Sequence, residues 1–371
     1  MPMDLRTLPV RNTAVPPALG LLAATLCALA AGSAQAQSSA RLYGIVDLSM
    51  RRASGLNEFT PSDTSATTMS SGLNNTSRWG LRVQEDLGGG LSAQAQLESG
   101  INAKTGAPIS STIYFDRQSW VGLGGHWGLV SMGRQTSLLA DAISPVDPLG
   151  MRLASFNPAI NVAALSQHQL GVGYGASGSN TASYRLNNSV KYTGEFAGFN
   201  VRVMHSFGEV AGNGGASDST GVGLGYKAGN LQLSAAHQRF RNNDDTLGLR
   251  GHVLGAAYQF EAGIRIAGLF ARSQAETSAT TRARLRTLGL GATVPAGAQV
   301  DLTLAHYRVA RERSARADDG YGRTAAFAEY KLSRRSVTYL EIDHTRWQGN
   351  FQGAANKQKA TGVSVGMRHS F

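Results

Sequence analysis

The chain has 371 residues, and only 16% of them are charged, against roughly a quarter in ordinary soluble domains. Its 35 Lys and Arg outnumber 24 Asp and Glu for a formal charge of +11, but the basic residues are scattered from Arg41 to Arg368 with no long run, which argues against a polybasic nucleic-acid arm. Glycine at 45 residues with only 10 prolines fits neither a collagen nor a proline-rich disordered chain, and the single cysteine, Cys27, leaves no disulfide framework and no cysteine-ligated metal.

Residues 1–36 read as an export leader. Arg6 and Arg11 supply the positive start, Val15 to Ala31 the apolar stretch, and Ala34-Gln35-Ala36 the small-x-small cleavage site. Cleavage after Ala36 removes Cys27 together with Arg6, Arg11 and Asp4, so the mature charge falls from +11 to +10. Beyond Ala36 there is no apolar run of the ~18 residues that a membrane helix needs. Instead, alternation with period two recurs: Leu42, Val46, Leu48 and Met50; Leu91, Ala93, Ala95 and Leu97; Phe199, Val201 and Val203 against Asn200, Arg202 and Met204; Leu231 and Leu233; Val300, Leu302 and Leu304. Such segments are two-faced strands.

Short turns punctuate them at Gly88-Gly89-Gly90, Gly124-Gly125-His126, Glu195-Phe196-Ala197, Gly229-Asn230, Glu261-Ala262-Gly263, Pro295-Ala296-Gly297 and Ser333-Arg334-Arg335. Their first residues are 36, 71, 34, 32, 34 and 38 residues apart, with 38 more to Phe371. An interval of this length holds two strands of about 10 residues, enough to cross a bilayer at a tilt, and one longer polar loop. Seven short turns with both chain ends on the same side give sixteen strands, an even number that closes into a barrel and leaves no unpaired edge in hydrocarbon. The reading is therefore all-β: a 16-stranded antiparallel transmembrane β-barrel, apolar outside and polar inside, spanning residues 37–371. The 71-residue interval carries an oversized third loop, about residues 135–183, whose Leu138, Leu139, Leu149, Met151 and Phe156 call for something to pack on, with the barrel interior the obvious place.

Apparent catalytic patterns fail on context. Gly362-x-Ser364-x-Gly366 lacks a following acid and a suitably placed histidine, and Gly173-x-Gly175-x-x-Gly178 lacks a helix and an acidic residue ~20 positions on. Gly128 to Arg134 lacks the lysine of a phosphate loop. The eight histidines form no i, i+3 or i, i+4 pair, so no cofactor or metal is expected.

Several segments carry a resemblance. Ala40-Arg41-Leu42-Tyr43-Gly44-Ile45-Val46-Asp47, Ser77-Arg78-Trp79-Gly80-Leu81-Arg82 with Glu85-Asp86-Leu87-Gly88, Arg117-Gln118-Ser119-Trp120-Val121-Gly122-Leu123, Gly133-Arg134, Asn187-Asn188-Ser189-Val190-Lys191-Tyr192 and the closing Gly362 to Phe371 resemble the general trimeric porins of β-proteobacterial outer membranes. The resemblance implies short periplasmic turns, long extracellular loops and a third loop folded inward to narrow a pore. It further implies a homotrimer in the outer membrane of a Gram-negative bacterium, in contact with lipid and lipopolysaccharide, its terminal Phe371 read by the outer-membrane assembly machinery. In anion-selective members arginines line the constriction, and Arg78, Arg117 and Arg185 occupy matching positions. Arg82, on the same face as Arg78, and Arg134 join them as pore candidates, with Asp141 and Asp147 as acidic candidates on the loop.

The function expected is passive diffusion of small hydrophilic solutes with a preference for anions, not catalysis and not nucleic-acid binding. Two other readings remain at this level. One is a substrate-specific channel with a binding site for phosphate or an organic acid. The other is an exported soluble all-β carbohydrate-binding protein, which would require a polar outer surface.

Overall fold

The computed structural model describes residues 38–57, 60–164, 174–175, 184–351 and 357–371, so the leader and part of the third loop lie outside the described residues. The strands in chain order are β1 (Ser39–Asn57), β2 (Thr60–Ser71), β3 (Arg78–Gly88), β4 (Leu91–Gly100), β5 (Gln118–Gly125), β6 (Gly128–Thr136), β7 (Arg185–Phe196), β8 (Phe199–Ser206) and β9 (Ser219–Ala228). They continue as β10 (Leu231–Arg241), β11 (Gly248–Gln259), β12 (Arg265–Glu276), β13 (Arg282–Pro295), β14 (Val300–Arg313), β15 (Arg316–Lys331), β16 (Ser336–Gln348) and β17 (Lys359–Ser370). Every neighbouring pair is antiparallel, and β17 returns to β1 in register from Ile45 opposite Ser370 to Ser54 opposite Thr361.

The seventeen segments make sixteen staves, because β2 and β3 form one interrupted strand: β1 pairs with β2 from Leu48 to Asn57 and with β3 from Ser39 to Ile45. All seven expected short turns join strand pairs on one side of the barrel. Gly88, Gly89 and Gly90 take φ of 82°, 61° and 80°, a run that a residue with a Cβ enters only at a cost. At the turn expected around Glu195-Phe196-Ala197, the apex falls at Ala197-Gly198, where both φ are positive, the pattern of a tight hairpin whose twist suits its strands. On the other side, part of the length expected in loops is strand instead. Between β14 and β15 only Ser314 and Ala315 intervene, because those strands run 14 and 16 residues.

Alternation sets the outer wall. Along β13, Leu288 and Leu290 are about 60% exposed while Thr287, on the opposite face, is fully buried, and Leu254, Leu304 and Val365 are exposed in the same way. A band of such side chains on every side is a liability in water and fits lipid. It removes the reading as a soluble carbohydrate binder.

The expectation of a polar, wet interior holds for only part of the lumen. The third loop folds inward with two short helices, α1 (Leu138–Ile143), capped by the Ser137 hydroxyl, and α2 (Pro158–Ala163), capped by Asn157 with Pro158 in the first turn. α1 lies against β8–β11 and α2 against β12 and β13. Under them the inner wall is apolar: Val253 and Ala257 on β11, Ala267, Leu269, Ala271 and Ala275 on β12. Gly251 and Gly255 leave the room, since a Cβ there would stand 2.5 Å from Leu139 and 2.4 Å from Val146. Once the loop covers this wall, no water reaches it, and the inside of the barrel acquires a hydrophobic core of its own.

The seam is held at its turn-side end by paired backbone bonds, Gly44 N–H to Phe371 O at 3.2 Å and Phe371 N–H to Gly44 O at 3.1 Å. The Phe371 ring lies over Gly44, where a Cβ would come within 2.3 Å of it. Gly44→Leu is expected to displace the ring and open the end of the seam, costing about 1–3 kcal/mol by overpacking. The check is the temperature at which the folded, fast-migrating band unfolds on a denaturing gel; an unaltered transition would show that the Phe371 contact is dispensable for closure.

Candidate functional site: the arginine-lined lumen

Strand parity delivers the lumen residues. Register pairs Arg78 with Gly100, Gly80 with Glu98 and Arg82 with Gln96, all on the face of Tyr43 and Arg41, so Arg78 and Arg82 point inward with Glu98 between them. Glu98 accepts from Tyr43 Oη at 2.9 Å and from Arg117 Nε at 2.7 Å, and pairs with Arg78 Nε at 3.3 Å. Arg185, at the start of β7, stacks on Tyr184 with its guanidinium carbon 4.3 Å from the ring centre. Arg117, Arg185, Tyr184 and Glu98 are mutual electrostatic neighbours, and Arg78 shares the cluster. The structure thus gathers three of the five arginine candidates around one carboxylate. Burial works against the charge on Arg117, but the Tyr184 phenol and the Glu98 carboxylate outweigh it and hold the guanidinium above its ordinary range.

The other candidates separate. Arg82 lies four residue pairs closer to the short turns than Arg78, exposed, over the Tyr43 ring at 4.7 Å and opposite Arg41. Arg134 is paired with Ser119, on the face opposite Gln118 and Trp120. A bulge between Gly133 and Gln135 ends the simple alternation there, and the Arg134 Nε donates to Asp116 O at 2.7 Å rather than to Glu98.

Asp141, in the first turn of α1, takes Lys191 Nζ at 2.8 Å and the Thr136 hydroxyl at 2.6 Å and has Arg202 as an electrostatic neighbour. Asp147 has a different position from that expected of a residue opposing the arginines. It is fully buried beneath the loop, accepting from Tyr307 Oη at 2.5 Å, Met151 N at 2.6 Å and Asn157 Nδ2 at 3.1 Å. Burial pushes its carboxyl above the usual range, a shift opposed by those hydrogen bonds. Its chemistry is that of a tether.

Sequence reasoning passed over several groups that matter here. Glu98, Lys191 and Arg202 all face the lumen, and the alternation around Phe199 to Met204 already placed Arg202 on the polar face. Further arginines hold the loop from the other side: Arg265 Nη2 donates to Pro145 O at 2.8 Å, Arg152 bonds Thr303 at 3.0 Å and pairs with Glu329, and Arg51 and Arg323 sit over the Phe156 ring at 5.2 and 4.9 Å. Arg51 in turn pairs with Glu341 at 3.0 Å and Asp343 at 2.6 Å. The aromatic residues divide as well. Tyr192 and Tyr330 face outward near the short turns, whereas Tyr43 and Tyr339 turn inward to Glu98 and Asp47. Ser364, the centre of the apparent hydrolase pattern, lies mid-strand in β17 and accepts from Arg51 at 3.1 Å.

Open clefts run along the other half of the lumen. One is lined by Arg82, Gln94, Gln96 and Trp120; the next shares Gln96 and Trp120 and continues to Lys191, Asp141 and Arg202; a third shares Asp141 and Arg202 and reaches Glu195 and Lys227 near the short turns. A continuous polar path therefore passes between the inward loop and the wall of β3–β9.

Residues 23–350 match the protein family described as Gram-negative porin. The chain belongs to that family. It is 33% identical over 282 residues to an outer membrane porin protein of Bordetella pertussis, covering 68% of this chain and 69% of that protein, and 29% identical over 363 residues to outer membrane porin protein 32 of Delftia acidovorans, covering 92% and 97%. Among solved structures, the anion-selective porin from Comamonas acidovorans superposes with a TM-score of 0.76 at 24% identity, over 90% of this chain and 100% of that one. The porin is integral to the outer membrane, and its polar path is the channel.

Removing the tether should loosen the inward loop of this porin without opening the barrel. Asp147→Leu leaves the Tyr307 hydroxyl and the Met151 amide without their acceptor and removes one of the two acceptors of Asn157 Nδ2, at about 1–3 kcal/mol for each group left buried and unpaired. Single-channel recording should then show broader conductance levels and more open-channel noise, while the purified protein keeps its heat-resistant band. A quiet channel of wild-type conductance would mean that the loop is held by its apolar contacts alone.

Proposed function

We propose that the porin passes small hydrophilic solutes passively and favours anions, with its selectivity set where the inward loop meets the wall of β3–β8. The observation that carries this reading is the local charge balance. Arg78, Arg82, Arg117, Arg185, Lys191 and Arg202 stand around the path, against the carboxylates Glu98 and Asp141. Low-dielectric walls focus that excess into the channel, although screening over ~8 Å in physiological salt confines its influence to solutes within the narrow part. Arg78, Arg117 and Arg185 act mainly as a fixed background, because they are packed with Glu98 and Tyr184. Arg82 and Arg202, which line the clefts, meet the solute. No bond is made or broken, and no cofactor takes part.

The same reading covers the chain's assembly. Residues 1–36 serve as a leader removed on export, and Phe371 serves as the signal for the assembly machinery. Three copies associate as a homotrimer.

In planar bilayers under a tenfold KCl gradient, the wild-type zero-current potential should have the sign of anion preference. Arg82→Glu combined with Arg202→Glu should bring it to zero or reverse it, and Asp141→Asn should move it further toward anions. The differences should shrink in molar salt, where screening falls to ~3 Å. A potential that ignores all three substitutions would take these residues out of the selective region, and a cation-directed wild type would overturn the anion preference while leaving the channel intact.

A further inference from the structure

In the cleft that runs from Gln96 to Arg202, Trp120 and Leu129 are apolar side chains on an otherwise polar wall. Register sets Trp120 of β5 opposite Gln96 of β4 and Gly133 of β6, so the indole faces inward in the row of Arg82. Leu129 of β6 lies opposite Gly124 and Thr193, in the row of Arg202. Between Trp120 and that row, the inward positions of β5 are Gly122 and Gly124. A Cβ at Gly122 would stand 3.1 Å from Leu129 Cδ1, and one at Gly124 3.6 Å from it, so the leucine lies across a shelf that the glycines keep bare. Trp120 and Leu129 are half-buried, and both border the two clefts, of about 420 and 320 Å³, that meet here. Volumes of this order suit a small molecule.

Cations flank this surface on both sides. Arg82 stands two strands from Trp120, and Arg202 two strands from Leu129, ~10 Å in either case at the usual strand spacing. Among the described residues neither arginine is in a salt bridge, and Arg202 Nε is buried without a hydrogen-bond partner. The carboxylates nearby are occupied, Glu98 by Tyr43, Arg78 and Arg117, and Asp141 by Lys191 and Thr136. Gln96 Nε2 donates to Tyr43 Oη at 2.6 Å, and Gln94 Nε2 to Ser92 Oγ at 3.1 Å. A polyhydroxylated ring needs acceptors as well as donors and finds few free here. A flat apolar ring with a carboxylate at its edge finds more. Laid on Trp120 and Leu129, its face removes both from water and gains from offset or edge stacking on the indole. Its two oxygens match a guanidinium fork.

We propose that Trp120, Leu129 and the bare shelf of Gly122 and Gly124 form a binding site for planar aromatic carboxylates, benzoate being the simplest, in transit between Arg82 and Arg202. The site rests on the anion path of the proposed function and narrows its solutes to one class, in which a single negative charge sits at the edge of a flat apolar ring. Trp120 supplies the preference for the ring, and the two arginines supply the preference for the charge.

The test uses the whole porin in planar bilayers bathed in KCl at neutral pH, titrated in turn with sodium benzoate, sodium acetate and benzamide while the fall in single-channel conductance is read. In the wild type, half-block by benzoate should come at a concentration about tenfold below that of acetate, which lacks the ring, and of benzamide, which lacks the charge. Trp120→Ala should bring benzoate to within about twofold of acetate, while Trp120→Phe, which keeps a flat ring, should retain most of the preference. Arg82→Gln/Arg202→Gln should erase the advantage of benzoate over benzamide. Retention of the full preference in Trp120→Ala would overturn the site, and block by benzamide equal to that by benzoate would overturn the class, assigning the surface to neutral apolar solutes. The zero-current potential in a KCl gradient, recorded on the same channels, reports the anion preference separately. An anion-selective wild type that benzoate blocks no better than acetate overturns this site and spares that reading, and a cation-directed wild type overturns both.

Discussion

Backbone hydrogen bonding in hydrocarbon is the constraint from which this structure follows. No water is available inside a bilayer to satisfy an N–H or C=O, so every stave needs two neighbours and the last must find the first. The chain meets that requirement with the β1–β17 ladder, finished by the reciprocal bonds between Gly44 and Phe371. The exception is instructive. Between β2 and β3 the backbone leaves the wall at Gly72–Ser77, but it turns inward, and Asp47 accepts from the amides of Asn74 and Asn75, both at 2.7 Å. Tyr339 and Arg368 complete the arrangement, bonding Asp47 and Asn74 at 2.7 and 3.0 Å. A break is tolerable at membrane depth where protein, not lipid, meets the freed groups.

That inward excursion also explains where the third loop goes. Leu73 is fully buried in the apolar cluster, and its carbonyl accepts from Leu153 of the loop at 2.8 Å. On the far side, the glycines and alanines of β11 and β12 let α1 and the segment after it approach the wall closely. The lumen is thereby divided into a dry part, filled by loop and wall, and a wet part along β3–β9. A sixteen-stranded cylinder with a uniformly polar lining would leave a wide hole. Packing one side turns the same cylinder into a narrower channel whose width depends on how firmly the loop is held.

Much of this was legible in the sequence because it rests on local signals. Turn residues and period-two alternation located all seven short turns, and through their spacing the stave count and the oversized loop. Features set by long-range packing were not legible. Alternation in β12 cannot say which face is inside, since Ala267, Leu269 and Ala271 pack inward beneath the loop while Ile266 and Phe270 face out. Nothing in the Gly133-Arg134 dipeptide says that register sets Arg134 beside Ser119, on the face opposite Gln118 and Trp120 and next to a bulge between Gly133 and Gln135. Asp147 looked like Asp141 on paper, both acidic and both in the loop. Only the folded loop shows one at the water path and the other enclosed by Tyr307, Met151 and Asn157.

The same distinction bears on the abundance of arginine, 29 residues against 6 lysines. A positive field could be built from either side chain. Holding a loop inside a barrel is more demanding, because each anchor must satisfy several acceptors at once and remain charged while nearly dry. Arg51 spans two carboxylates, a serine hydroxyl and the face of Phe156; Arg323 bonds the Thr345 hydroxyl at 2.7 Å and the Phe156 carbonyl and covers the Phe156 ring. A planar guanidinium with five donors and a stacking face can do this, and an ammonium cannot. Many of the inward-facing arginines are therefore committed to structure, packed against carboxylates and rings where they stand. On the proposed reading, the field that a solute meets is chiefly that of Arg82 and Arg202 against the loop carboxylate Asp141, and it then depends on the loop's staying where the other arginines hold it.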